Sequence, residues 1–138
     1  MNTATPATSR LAGAVDGLPR ILLRIEGAAL AVAAIYMFHR LGGNWWWFAL
    51  ILVPDISMAA YFLGTRPGAI AYNATHITLV PLLLAALGFL LPSFDILSIA
   101  LVWAVHIGID RALGLGLKYG AGFGFTHLGR IGGALTGS

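Results

Sequence analysis

Four apolar stretches of helix-spanning length, joined by short turn-rich connections, decide what this chain can fold into. They run from Ile21 to Phe38, Trp45 to Leu63, Ala69 to Leu91 and Phe94 to about Leu117. Crossing a hydrocarbon core takes about 20 helical residues, and each stretch supplies them. The connections are Gly42-Gly43-Asn44, Gly64-Thr65-Arg66-Pro67-Gly68 and Pro92-Ser93, all rich in turn formers. Short connections favour neighbours of opposite direction. The sequence therefore predicts an all-α polytopic membrane protein, an antiparallel bundle of four transmembrane helices over residues 21–117. A disordered cytoplasmic tail is expected over residues 1–20, and a Gly-rich cytoplasmic tail over 118–138.

Composition narrows the function classes. Only 9% of the 138 residues are charged and 59% are hydrophobic, too little charge for the surface of a small water-soluble domain. A soluble enzyme, a disordered chain and a nucleic-acid-binding module are excluded. The absence of cysteine removes disulfides, thiolate catalysis and thiolate metal ligands. The first twenty residues lack an apolar core of signal-peptide length. With the four segments in place, Arg10, Arg20, Arg24, Arg66, Arg111, Lys118 and Arg130 fall on one side, and Arg40 alone on the other. The positive-inside rule then puts both termini in the cytoplasm. Trp45-Trp46-Trp47 is read as an aromatic anchor at the far interface. Glycines 114, 116, 120, 122, 124 and 129 disfavour a fifth helix. An irregular stretch on the cytoplasmic face is expected instead.

Ionisable groups inside a membrane helix cost about 2.5–3.5 kcal/mol each, so each requires a reason. Glu26, Asp55, His76, His106 and Asp110 all fall between the midplane and the cytoplasmic face, which makes one shared polar cavity geometrically feasible. His106 and Asp110 are spaced i, i+4, as are Tyr72 and His76, and Asn73 and His76 are i, i+3. Neutral imidazole and carboxylate oxygen suit Zn, Fe or Mn, so His76, His106 and Asp110 are candidate metal ligands, with Asp55 a fourth ligand or general base. The competing reading is a plain hydrogen-bonded link between helices. Pro54 beside Asp55 predicts a kink in the second helix, with Ser57 and Tyr61 extending polarity there, and Pro81 predicts a kink in the third. Glu26 is expected in an ion pair with Arg24, Arg111 or a cation of the tail. His127, in Phe125-Thr126-His127-Leu128-Gly129, could close the site if the tail folds under the bundle.

Several short motifs occur in order: Arg24-Ile25-Glu26-Gly27, Leu41-Gly42-Gly43-Asn44-Trp45-Trp46, Pro54-Asp55-Ile56-Ser57-Met58, Tyr72-Asn73-Ala74-Thr75-His76, His106-Ile107-Gly108-Ile109-Asp110-Arg111-Ala112-Leu113-Gly114, Leu117-Lys118-Tyr119 and Thr126-His127-Leu128-Gly129. Together, from about Arg24 to Gly129, they resemble the bacterial integral-membrane family called domain of unknown function 4260. The resemblance implies a four-helix protein of the bacterial inner membrane and supplies no activity.

Three functions compete on these residues. The first is a metal-dependent membrane hydrolase acting on a lipid-like substrate, with a metal-activated water and a carboxylate to take its proton. The second is a non-catalytic subunit or assembly factor of a larger membrane complex. The third is a proton or cation transporter, which in so small a chain would need a homo-oligomer. The outer half of each segment is nearly free of ionisable residues, which argues against a through-path.

Overall fold

The computed structural model describes residues 13–131. The chain is mostly helical, with four stretches long and apolar enough to cross a membrane. They are α1 (Gly17–Arg40), a second span at Trp45–Leu63, a third at Thr65–Leu90, and α4 (Phe94–Leu113). The third span is divided into α2 (Thr65–His76) and α3 (Leu79–Leu90). A hairpin of β1 (Phe125–Thr126) and β2 (Gly129–Arg130) follows.

The core is built around α4. Half of its apolar stretch is buried, against 22% or less in the other spans, so it is the helix the others enclose. Two glycines let α1 reach it. A Cβ on Gly108 would stand 2.7 Å from the Ala31 backbone nitrogen, and one on Gly27 would stand 2.5 Å from the Arg111 Cβ. Small residues at such crossings let membrane helices pack by close backbone contact, where the bilayer offers little hydrophobic drive. Ser93 caps α4 by accepting from the Ile96 N–H, and Gly114 ends it in a left-handed conformation, φ 85°. That φ is costly for a side chain and free for glycine, so the helix stops at Leu113 and not near Leu117.

Two spans differ from uniform helices with proline kinks. The second is a tight 3-10 winding in two runs, Trp45–Leu50 and Val53–Leu63, separated at Ile51-Leu52. Asn44 opens it by accepting from the Trp46 N–H, and Pro54 removes a donor near the start of the second run. The larger rise of a 3-10 helix, about 2.0 Å per residue, lets few residues cover a long path. The third span breaks at Ile77-Thr78, one turn before Pro81, where the proline ring and its missing N–H oppose a continuous helix. Ile77 is extended (ψ 139°), and α2 ends on His76 itself. Pro81 lies in the first turn of α3, where its missing N–H costs nothing.

Part of the expected N-terminal tail is also structured. Residues 17–20 belong to α1, the Val15 N–H donates to the His127 carbonyl, and the Tyr119 hydroxyl donates to the Gly13 carbonyl. Residues 1–12 and 132–138 of the two tails lie outside the described residues. The Gly-rich stretch after α4 is folded over one end of the helices, with Thr126 and Leu128 fully buried.

Candidate metal centre

The site begins with the break in the third span. Ending α2 at His76 leaves the Thr75 carbonyl without a helical donor, and the Trp103 indole N–H of α4 takes it at 2.8 Å. The His76 ring stacks on Tyr72 one turn back, with centroids 3.7 Å apart. Its Nδ1 lies 2.8 Å from the Tyr72 carbonyl, which can only accept. Nδ1 therefore carries a proton, and in the neutral ring Nε2 presents a lone pair.

That lone pair points at three other donor atoms. His76 Nε2 lies 3.0 Å from His106 Nε2, 3.3 Å from Asp55 Oδ1 and 3.5 Å from Asp110 Oδ2. His106 Nε2 lies 3.4 Å from Asp55 Oδ1 and 3.5 Å from Asp110 Oδ2. All four atoms fall within 4.8 Å of one another. They come from the second span, α2 and α4, so the cluster joins three spans. His76 and His106 are 3% and 5% exposed, while Asp55 is 28% exposed and Asp110 15%.

These distances separate the two readings of the cluster. Charge-assisted N–H···O bonds run about 2.7–2.9 Å. All four His–Asp distances, 3.3–3.5 Å, are longer. Around a tetrahedral zinc with bonds of about 2.0–2.1 Å, neighbouring ligand atoms stand about 3.3–3.4 Å apart. The four His–Asp edges fit that figure, the His–His edge at 3.0 Å is short of it, and the Asp55–Asp110 edge, bounded at 4.8 Å, is the one the carboxylates would close on a bound ion. A proton can lie on one edge; a cation at the centre meets every lone pair.

The outer contacts hold the donors. The Tyr72 hydroxyl donates to Asp110 Oδ2 at 3.2 Å. The Thr75 hydroxyl sits 2.9 Å from His76 Nδ1 and 2.9 Å from the Ser57 hydroxyl, and Ser57 donates to the Pro54 carbonyl. Such partners fix ring orientation and ligand basicity in metal sites. Lys118 of the tail is 5% exposed, with Nζ donating to the Phe123 carbonyl and lying over the Tyr72 ring at 4.6 Å. Burial pushes its ammonium below the usual lysine range, and the Asp110 and Asp55 carboxylates pull it back up. Asn73 anchors this tail segment by accepting from the Lys118 N–H at 2.6 Å and donating to its carbonyl at 2.7 Å. A cavity of about 10 Å³ touches His76, Asp110, Arg111 and Gly116, room for roughly one water.

Of the residues singled out from sequence, Asp55, His76, His106 and Asp110 converge, Tyr72 touches them, and Asn73 and Arg111 lie one layer out. Glu26 does not join them. It is exposed on α1 and forms no ion pair among the described residues, because Gly27 is the position that faces α4 and Glu26 is turned about 100° from it. Arg24, its expected partner, donates instead to the Ala112 carbonyl. His127 is a layer away as well: its Nδ1 accepts from the Leu117 N–H at 2.8 Å. Burial, then the Arg111 charge, holds its pKa below the ordinary histidine value. Trp103 and Thr75 have no charge or spacing that marks them in sequence; their roles arise from the helix break.

Fold and site together define a polytopic helical membrane protein with a buried His2Asp2 cluster able to hold a metal ion. Residues 20–131 match the family model described as domain of unknown function (DUF4260), and the chain belongs to that family. Comparison with curated proteins and with solved structures returns no match.

Proposed function

We propose that this protein binds one divalent ion of the zinc class within the membrane, with Asp55, His76, His106 and Asp110 as its ligands. The observation that carries this is the set of four His–Asp edges of 3.3–3.5 Å around an imidazole lone pair with no proton to share. Four protein ligands complete a tetrahedron, the form of metal sites that hold a fold together. The ion then ties the second, third and fourth spans at one depth. The cation-rich end, carrying Arg20, Arg24, Arg66 and the folded tail, faces the cytoplasm in this reading, and the spans alternate in direction. The test is elemental mass spectrometry on detergent-purified protein handled without chelator, beside a His76→Ala, His106→Ala double variant. About one zinc, iron or manganese per chain is expected, lost in a variant that stays helical. A wild type still metal-free after dialysis against zinc overturns the reading.

A hydrolytic use of the ion is the second reading, supported by the greater exposure of Asp55. If Asp55 swings away, His76, His106 and Asp110 remain as a three-ligand set with an open position, and Asp55 stands by as a base for a water. A lipid-like ester or amide is the substrate class this position would meet. The apolar cavity of about 290 Å³ between α1, α3 and α4 gives this reading no help. It is lined by Ala100 and Ala104, and Ala104 and His106 point to nearly opposite faces of α4. Cobalt-loaded protein discriminates: an absorption spectrum that shifts on adding azide reports an open position, and an unmoved spectrum a closed centre.

A further inference from the structure

A buried cation of the tail stands beside the His2Asp2 centre without joining it. Lys118 is 5% exposed, and aromatic rings from three parts of the chain surround its ammonium. Nζ lies 3.3 Å from the ring centroid of Phe123 in the tail, 4.6 Å from that of Tyr72 in α2 and 6.0 Å from that of Tyr61 in the second span. The Tyr61 and Phe123 rings meet edge to face, 5.3 Å between centroids, so two walls of this cage support each other. Ring faces attract a cation, most of all a desolvated one, so the cage favours the charged amine. The tail is pinned at the same place. Asn73 holds the Lys118 backbone by its N–H and its carbonyl, the Lys118 side chain holds the Phe123 carbonyl, and Lys118 bridges to Thr126 of β1.

Tyr72 joins this cage to the centre. Its ring stacks on His76 and its hydroxyl donates to Asp110, while the same ring receives the ammonium. The carboxylates whose charge acts on Lys118 are Asp110 and then Asp55, both members of the cluster. Their close contacts are with the two imidazoles, so they act on the ammonium through space. With neutral imidazoles and ionised carboxylates, two negative charges face one ammonium. A divalent ion at the centre cancels both carboxylates and leaves the buried ammonium without compensation. Uncompensated buried charge is strongly unfavourable, and like charges repel hardest where the dielectric is low. The ion and Lys118 therefore compete for the same two carboxylates.

We propose that Lys118 is the resident counter-cation of this centre, and that binding of a divalent ion weakens the hold of the Tyr61, Tyr72 and Phe123 cage on it and loosens the tail over residues 118–126. The tail then signals metal occupancy at the cation-rich end of the molecule. This inference rests on the metal reading and adds its regulation. Coupling of this kind is reciprocal, so one factor describes the effect of the ion on the cage and of the caged charge on the ion. The test compares full-length wild type, Lys118→Met and Lys118→Arg in detergent, with zinc as the probe. Competition with a chromogenic chelator reads affinity. Amide exchange at one fixed pH well above 6.5, where His127 stays neutral, reads the tail with and without zinc. Lys118→Met keeps an unbranched apolar chain and removes the charge, so zinc is expected to bind about tenfold tighter. Lys118→Arg keeps the charge and is expected to show no such gain. In the wild type, zinc is expected to speed exchange over residues 118–126 about tenfold, the reverse of the protection that an ion gives a fold it merely stabilises. Exchange there that zinc leaves unchanged or slows, or a Lys118→Met chain that binds zinc no tighter than wild type, overturns the inference and leaves the metal reading intact. A wild type that holds no zinc overturns both, and metal content measured on the same samples identifies that case. The exchange comparison needs the wild type alone, so it decides if neither variant folds.

Discussion

At the scale of single residues, the direction of one imidazole governs the site. The Tyr72 carbonyl holds the proton on Nδ1 of His76, so Nε2 is left with its lone pair facing the cluster. Tyr72 acts twice, since its hydroxyl also donates to Asp110. Tyr72→Phe keeps the ring stacked on His76 and removes only that hydroxyl. Loss of an outer-shell partner of this kind weakens metal affinity by about 10–100-fold. Competition with a chromogenic chelator measures it, and an unchanged affinity would remove Tyr72 from the site. The four clustered residues were legible in the sequence, because each is a costly group at a shared depth. Glu26 shows where depth alone falls short: the same cost argument selects it, yet its helix face turns it away from α4. Trp103 was not legible, because an indole in an apolar helix carries no sign of the carbonyl it will serve.

At the scale of elements, the interrupted spans position the chemistry. His76 is the last residue of α2, and Asp55 is in the first turn of the second 3-10 run. Broken helices at membrane depth are tolerated where protein satisfies the freed backbone, here through the Trp103 indole on the Thr75 carbonyl. The four spans could be read from hydropathy and turn residues. The break in the third span was legible from Pro81, since it falls one turn before that proline, though the sequence does not show that the kink opens into a full interruption. The 3-10 winding had no sequence signal beyond Pro54. The contact of α1 with α4 is the element pair most open to test. Gly108→Val pushes side-chain atoms into the Ala31 backbone, and such overpacking costs about 1–3 kcal/mol. A lowered midpoint of unfolding in detergent is expected, together with weaker metal retention, since His106 and Asp110 flank Gly108. A variant as stable as wild type would contradict the close crossing.

At the scale of the whole molecule, the tail, the start of α1 and the helix ends form one cap. His127 sits at its centre, with Nδ1 accepting from Leu117, its carbonyl accepting from Val15, and Gly116 pressed against its ring. Its pKa is lowered in the fold from the ordinary 6.5. The unfolded chain therefore takes up the proton first as pH falls below 6.5, and stability is lost through the window between 6.5 and the lower folded value. Protonation also removes the acceptor for the Leu117 N–H. Amide exchange corrected for intrinsic rate should show residues 115–131 losing protection as pH drops through that window. His127→Asn, which keeps an acceptor without a titration, should flatten the dependence. Protection in the wild type that does not change with pH would show that His127 does not govern the cap. Sequence reading reached the presence of this cap and its histidine, while its hydrogen bonds depend on left-handed glycines whose register only the fold reveals.

X-ray absorption at the zinc edge of loaded, detergent-purified protein tests the proposed four-ligand metal centre shared by three spans most directly. The prediction is four nitrogen or oxygen neighbours at about 2.0–2.1 Å, with the outer scattering of two imidazoles. Asp110→Asn is expected to lower occupancy or lengthen one bond. Six oxygen neighbours without imidazole scattering, or a protein that retains no zinc, would contradict it.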